Sequence, residues 1–367
     1  MKIPFIDLKT QFNAIEEEIR ERINVVLDHG QYIMGPEVKE LEEKLCEFTG
    51  SKNCITVSSG TDALLISLMA IGIKPGDEVI TTPFTFVSTA EVIVLLGAIP
   101  VWVDIDPKTC NIDASKIEEV ITANTKAIMP VSLYGQVSDM NEINKIAEDN
   151  GNIPVIEDAA QSFGAMYEGK KSCNLSTIGC TSFFPAKPLG CYGDGGAIFT
   201  NDDNLAQICR EIRIHGQGKR YIYNRVGVGG RMDTIQAAIL LAKLDRFNWE
   251  IDKRQEIAKR YDDLINTSPN KTKVDKIIIK PDRTSVFAQY TLLVKNRDEV
   301  QLKLEKAQIP TASYYPIPLN EQEPYKHLCC GDCTPQSQKI SKEVISIPFS
   351  PDISAEDQKL IIKKLLE

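Results

Sequence analysis

Cys54-Ile55-Thr56-Val57-Ser58-Ser59-Gly60-Thr61-Asp62-Ala63-Leu64-Leu65-Ile66-Ser67-Leu68-Met69-Ala70-Ile71 passes from a β-branched apolar run, through a Ser-Ser-Gly turn, into an apolar helix. A short strand feeding a helix is the building unit of an α/β sheet. The unit recurs downstream, with strands expected at 78–82, 100–104, 126–133 and 153–157. The helices expected between them cover 86–96, 115–121 and 140–148. Strands bounded by turn residues and alternating with helices predict a mostly parallel sheet covered on both faces.

Upstream, Phe12, Ile15, Ile19, Ile23 and Val26 recur at helical spacing and predict one helix closed by Gly30. A second helix follows Pro36, with Val38, Leu41, Leu45 and Phe48 on one face and Gly50 as its stop. After Gly179 the alternation changes, with strands at 180–184 and 196–200 close together in sequence. Residues 232–265 contain neither Gly nor Pro and read as one long helix. Beyond it lies a smaller pattern: strand 286–294, helix 299–308, a Tyr/Pro-rich loop at 314–318, strand 344–347 and a last helix from 354. The expected fold class is therefore α/β, with a large domain over 1–245. A smaller α+β C-terminal domain, 246–367, is entered by the long helix.

Composition narrows the function. The 367 residues are 43% hydrophobic and 25% charged, as in ordinary globular proteins. Lys+Arg 42 against Asp+Glu 51 gives a net charge of −9, which argues against a nucleic-acid surface. The first residues carry no signal-peptide core, and the longest apolar stretch, 92–103, is broken by Gly97 and Pro100. A soluble, cytoplasmic protein is expected. Ten cysteines are scattered, several within apolar runs, as reduced thiols in a core would be. Cys330-Gly331-Asp332-Cys333 has redox or zinc spacing, but no second pair or His couple lies near it, so no metal site is expected.

Ligands of open α/β sheets bind beyond the carboxyl ends of the strands. No G-x-G-x-x-G is present, and the P-loop-like Gly164-Ala165-Met166-Tyr167-Glu168-Gly169-Lys170-Lys171 reads as a hairpin turn. Three strand ends form a better set. Ser58-Ser59-Gly60-Thr61 offers free backbone N–H groups at a helix start, suited to a phosphate or simply to an N-cap. Asp158, in Ile156-Glu157-Asp158-Ala159-Ala160-Gln161, is either a helix N-cap or the acceptor for a protonated pyridine nitrogen. Lys187, in Ser182-Phe183-Phe184-Pro185-Ala186-Lys187-Pro188-Leu189-Gly190, is a lone amine among apolar residues and glycine, suited to act as a nucleophile. Phosphate cradle, acid and lysine in that order are the inventory of a pyridoxal phosphate enzyme.

At these residues, and over essentially the whole chain, the sequence resembles the DegT/StrS group of sugar aminotransferases. These are pyridoxal 5'-phosphate enzymes of fold type I acting on keto forms of nucleotide-linked sugars. The motifs are Gly60-Thr61-Asp62-Ala63-Leu64, Glu157-Asp158-Ala159-Ala160-Gln161, Ser182-Phe183-Phe184-Pro185 with Lys187, and Gly193-Asp194-Gly195-Gly196. The resemblance implies that Lys187 attaches the cofactor and shuttles a proton, that Asp158 pairs with the ring nitrogen, and that Gln161 meets the ring hydroxyl. It implies that Gly60, Thr61 and Ser182 hold the phosphate and that Phe86 stacks on the ring, against the alternative of a core aromatic.

The likeness extends to aminotransferases acting on UDP-2-acetamido-2-deoxy-3-oxo-glucuronate, through Val131-Ser132-Leu133-Tyr134-Gly135-Gln136, Ala288-Gln289-Tyr290-Thr291 and Tyr315-Pro316-Ile317-Pro318-Leu319-Asn320. This implies a nucleotide-sugar substrate, glutamate as donor, and a homodimer with its active site at the interface. Arg231, Tyr314 and Tyr315 are the expected sugar contacts, with an interface brace as the other reading of Arg231. Two positions depart from the pattern: Gly229 stands where the group has Asn reaching the partner's phosphate, and Tyr314 stands where these relatives have His. A 3- or 4-keto-6-deoxy sugar is the alternative substrate. A non-catalytic regulator or an NAD-dependent oxidoreductase is a more distant alternative: the missing dinucleotide fingerprint counts against the oxidoreductase, and Lys187 counts against the regulator and against a dehydratase.

Overall fold

The computed structural model describes residues 3–329, 331 and 333–367. The expected first helix is two: α1 (Leu8–Ala14) and α2 (Glu16–His29). The break falls at Ile15, whose φ of −137° and ψ of 28° leave the helical region. Its side chain is buried with Ile19 against Ile239 and Ala242. α3 (Pro36–Thr49) opens on a proline, which has no N–H to lose there, and ends at Gly50 in the left-handed region.

The sheet follows. Its elements are β1 (Asn53–Val57), α4 (Gly60–Ala70), β2 (Glu78–Thr81), α5 (Ser88–Leu95), β3 (Ile99–Trp102), β4 (Thr125–Ile128), α6 (Met140–Asp149) and β5 (Ile156–Asp158). A hairpin of β6 (Met166–Tyr167) and β7 (Lys170–Lys171) forms at the P-loop-like stretch. Then come β8 (Ile178–Ser182), β9 (Gly196–Thr200) and α7 (Asp203–Arg213). β3, β2 and β4 pair in parallel, and bridges Ile128–Val155 and Val131–Asp158 join them to β5. β5 pairs in parallel with β8, and β9 lies antiparallel between β8 and β1. The spatial order is thus β3-β2-β4-β5-β8-β9-β1, parallel except for β9. Leu41, Leu45, Phe163, Phe199 and Phe247 pack in one core, and Ile66, Leu68, Val92, Ile93 and Ile212 in another. Cys54, Cys110, Cys173, Cys180, Cys191 and Cys209 are buried thiols, as their apolar settings suggested.

Three expected elements come out shorter. Residues 115–121 form only two 3-10 turns, Ala114–Lys116 and Glu118–Val120, a stretch too brief to repay helix nucleation. The strand read over 126–133 stops at Ile128, since Pro130 has no N–H to give a neighbouring strand, and the chain then turns at Leu133–Gly135. The strand read from 286 starts at Tyr290, because Val286 and Ala288 donate instead to the Gly135 and Tyr134 carbonyls. The Cys330–Cys333 spacing falls partly on Cys330 and Asp332, outside the described residues.

The β10 (Gln217–Lys219) and β11 (Ile222–Tyr223) hairpin precedes α8 (Thr234–Asn266). The far half of α8 packs through Ile257, Tyr261 and Ile265 on a second, antiparallel sheet. That sheet is β12 (Val274–Lys276), β13 (Tyr290–Val294) and, after α9 (Arg297–Lys306) and α10 (Pro335–Ser341), β14 (Val344–Ile347); α11 (Ala355–Leu366) closes the chain. Asp104, just past β3, ties the two sheets together. Its buried carboxylate accepts from the Gln336 and Ser337 N–H groups at 2.7 and 2.9 Å and from Ser337 Oγ at 2.7 Å, capping α10 from across the fold. Asp104→Ala leaves those donors unpaired and is expected to cost about 2–4 kcal/mol in a urea titration. A loss below about 0.5 kcal/mol would show that water replaces the cap.

Candidate active site

The cradle forms where β1 turns into α4. Ser59 caps the helix, its hydroxyl accepting from Asp62 N at 3.0 Å, which leaves the first backbone N–H groups at Gly60 and Thr61 pointing outward at the positive end of the helix. A Cβ on Gly60 would lie 2.6 Å from Ser182 Cβ, so only glycine lets the end of β8 close against the helix start. Gly60, Thr61 and Ser182 therefore line one spot, and all three are partly open to solvent.

The acid sits at the end of β5. Asp158 is 5% exposed and accepts from Thr89 Oγ1 at 2.9 Å and from Ala160 N at 3.2 Å. Burial pushes its carboxyl above the usual range, while those two donors and nearby Lys187 pull it down. Lys187, on the loop after β8, is half-buried. Burial lowers its ammonium below the ordinary lysine range, and the Asp158 charge raises it in part. An amine drawn toward neutrality beside a carboxylate suits a group that attacks and carries protons.

Gln161 is held by its neighbours: its Oε1 accepts from Tyr134 N at 2.8 Å and its Nε2 donates to Tyr315 OH at 3.3 Å. The Tyr134 hydroxyl bonds the Tyr314 carbonyl. Phe86 is 51% exposed, so it is not a core aromatic; its ring centre lies 6.2 Å from that of Tyr315. Burial and the Asp158 charge both raise the Tyr315 phenol. The fold thus gathers Phe86, Asp158, Gln161, Tyr314 and Tyr315 into one group and Gly60, Thr61 and Ser182 into another beside it. Arg231 lies one residue past Gly230, whose carbonyl accepts from Ser58 N at 2.9 Å. Among the described residues none forms a hydrogen bond or ion pair with Arg231.

Residues 13–366 match the DegT/DnrJ/EryC1/StrS aminotransferase family. The chain belongs to this family. It is 54% identical, over 99% of both chains, to the UDP-2-acetamido-2-deoxy-3-oxo-D-glucuronate aminotransferase of Pseudomonas aeruginosa. A crystal structure of a DegT DnrJ EryC1 StrS aminotransferase from Brucella abortus superposes with a TM-score of 0.95 at 41% identity, over 99% of this chain and 98% of that one. A Bacillus subtilis structure with bound PMP matches with a TM-score of 0.91 at 31% identity, over all of this chain and 85% of that one.

The cofactor of this aminotransferase is pyridoxal 5'-phosphate, and the residues present fit it. The cradle that a Cβ would fill, a buried carboxylate, and a lysine whose ammonium is lowered by burial are groups suited to its phosphate, ring nitrogen and aldehyde.

Two residues of the site were not singled out from the sequence. Thr89 lies inside the helix expected over 86–96, and beside Ser88 and Glu91 nothing in the sequence marks it out. Tyr134 was noted only as part of a shared stretch. At Gly229, the His215 ring fills the space of the missing side chain, with Cε1 3.1 Å from where a Cβ would lie.

Alanine at Gly60 tests the cradle. On helix propensity alone it would stabilise α4, yet the contact with Ser182 requires backbone to move. Gly60→Ala is expected to loosen cofactor binding at least tenfold in a fluorescence titration. Unchanged affinity would mean that the strand end yields.

Proposed function

We propose that this aminotransferase moves an amino group from glutamate to a keto nucleotide sugar, UDP-2-acetamido-2-deoxy-3-oxo-glucuronate, for surface polysaccharide or glycan synthesis. One observation carries the substrate reading: whole-length 54% identity to the Pseudomonas aeruginosa enzyme of that name. The reading includes a cytoplasmic homodimer with its active site at the interface. Exposed Tyr221, Ile222, Tyr223 and Val226 on the β10–β11 arm support a second copy as the arm's cover. No helix among the described residues is long and apolar enough to cross a membrane.

In this reading the site works as a set of fixed groups around a moving proton. Bound pyridoxal 5'-phosphate supplies an aldehyde that takes up amino groups and a ring that draws electrons. Gly60 and Thr61 N–H and the Ser182 hydroxyl bind its phosphate. Asp158 keeps a proton on the ring nitrogen, and the Thr89 hydroxyl and Ala160 N–H orient that carboxylate toward it. Phe86 covers one face of the ring against water. Lys187 is the attachment point, and once a donor amine displaces it, its free amine removes the donor's Cα proton. The donor would leave as an oxo acid whose carbonyl oxygen comes from water, its amino group staying in the site. In the second half-reaction the ketone oxygen of the sugar would leave as water, Lys187 would pass a proton to the former ketone carbon, and the amino group would leave with the sugar.

Borohydride reduction of the holoenzyme is expected to trap the cofactor on Lys187, and Lys187→Ala is expected to keep the fold but lose transamination. A label on another lysine would overturn the assignment. Asp158→Asn is expected to slow turnover on the order of 10²-fold, the usual loss for a catalytic electrostatic contact. Among the described residues no helix directly follows β5, so the N-cap reading of Asp158 does not hold. Normal turnover in that variant would leave Asp158 only the closing of the turn through Ala160 N.

Arg231, with Tyr314 and Tyr315, is assigned to the sugar acid. Its forked guanidinium matches a carboxylate in a way lysine cannot, and the absence of a partner among the described residues supports an external anion. Arg231→Lys is expected to cost ~1.5–3 kcal/mol in kcat/KM with the sugar acid and clearly less with a 6-deoxy keto sugar on the same nucleotide. Equal losses would make Arg231 a phosphate contact or an interface brace, and activity on the deoxy sugar alone would favour the alternative substrate.

A further inference from the structure

Lys243 lies on α8, opposite the loop that carries Lys187, and is 2% exposed. Among the described residues no carboxylate lies within ion-pair distance of it. Glu250, the acid that most affects it, is already engaged by Gln11 Nε2 at 2.8 and 2.9 Å and by Arg246 at 3.3 Å. The ammonium donates to the Gly190 carbonyl and faces the Tyr192 ring at 5.1 Å. A buried cation without its own anion is a costly way to fill space that a methionine would fill freely.

The loop explains the placement. Its neck is closed by Cys191 N and Sγ, which donate to the Phe183 carbonyl at 2.8 and 3.0 Å. Inside it, Lys187 N donates to the Phe184 carbonyl at 2.9 Å. Gly190 packs so closely on this turn that a Cβ there would lie 2.6 Å from both the Phe184 and Pro185 carbonyl oxygens. Its own carbonyl is then turned toward α8, which also grips the next segment through Gln236 Oε1, accepting from Tyr192 N at 2.9 Å.

We propose that Lys243 is a positioning residue for Lys187: its ammonium holds the Gly190 carbonyl and so fixes the loop from which Lys187 acts beside Asp158. The proposal rests on Lys187 being the reactive lysine. Burial lowers the Lys243 ammonium to about 8, with Glu250 and Cys191 raising it and Arg254 lowering it. The Tyr192 ring on the loop also faces it, and Glu250 is itself held by Arg246, which pairs in turn with Asp352. Above pH 8 the ammonium loses its proton and its grip on the carbonyl weakens, so kcat falls. Stability moves the other way. Between pH 8 and the ordinary lysine range the unfolded chain binds a proton that the folded chain does not, so this group's contribution to stability rises with pH.

The test compares the holoenzyme with Lys243→Met over pH 6.5–10, following kcat at saturating donor and sugar. The wild type is expected to lose kcat with a midpoint near 8. Lys243→Met is expected to show kcat at least tenfold lower at pH 7, flat through that midpoint, with both KM values and cofactor affinity within twofold. Borohydride should still trap Lys187, more slowly, and the melting temperature at pH 7 should not fall. Wild-type kcat in the variant, persistence of its alkaline fall, or losses of melting temperature and cofactor binding that match the loss of kcat would overturn the proposal. If the methionine variant does not fold, Lys243→Gln, an uncharged donor, is judged by the same pH profile. Trapping on another lysine in the unaltered enzyme would instead overturn the assignment of Lys187, so the two failures are distinct.

Discussion

A carboxylate buried at the end of β5 constrains much of what surrounds it. Asp158 is taken out of water with no direct ion pair among the described residues, so its position demands donors from other elements. α5 must bring Thr89 over the sheet, and the chain must turn after the strand to present Ala160 N. The preceding residue repeats the problem on the opposite face. Successive strand side chains alternate sides, and Glu157, fully buried, is met by Ser132 and Ser172 hydroxyls at 3.1 and 2.8 Å and by Cys173 N at 2.8 Å. Two consecutive acids therefore recruit β4's continuation, α5 and the segment after the β6–β7 hairpin. Burial raises both carboxyls, but only Asp158 faces the lysine.

Around that carboxylate the charges are complementary. The start of α4 offers positive dipole for an anion, Asp158 offers a negative charge, and burial holds the Lys187 ammonium below the ordinary lysine range against the opposing pull of Asp158. All three come from strand ends on one side of a sheet that is parallel but for β9. That single reversal places β9 between β8 and β1, so the loop with Lys187 and the turn with Gly60 close on each other across Ser182 and Gly196.

Much of this was legible because it is local. The Ser-Ser-Gly turn, the Glu-Asp pair ending an apolar strand and the lone lysine before Gly190 each announce their chemistry within a few residues, and the long α8 appears in a run without Gly or Pro. What was not legible depends on residues far apart. Thr89 faces Asp158 only after α5 packs, and Val286 and Ala288 leave their strand because the Tyr134–Gly135 turn offers carbonyls. The break at Ile15 follows from a pocket made by α8. Gly229 looked like a missing side chain, but the space belongs to His215, fourteen residues earlier on the chain and adjacent only after the Ile214–Gly229 bridge forms.

The two ends of the site differ in how fully the protein satisfies them. At the cofactor end the acid, the glutamine and the helix cap already have partners, so the groups stand in place before any ligand arrives, and little ordering entropy is spent on binding. At the proposed sugar end, none of the described residues pairs with Arg231. Groups left unsatisfied in this way discriminate well, because a ligand that fails to pair them leaves the cost of desolvation uncompensated. Tyr314 and Tyr315 bridge the two regimes. Their backbone and hydroxyl are tied to Tyr134 and Gln161, so in the proposed reading a sugar contacting them would act on the same short chain of hydrogen bonds that holds Gln161.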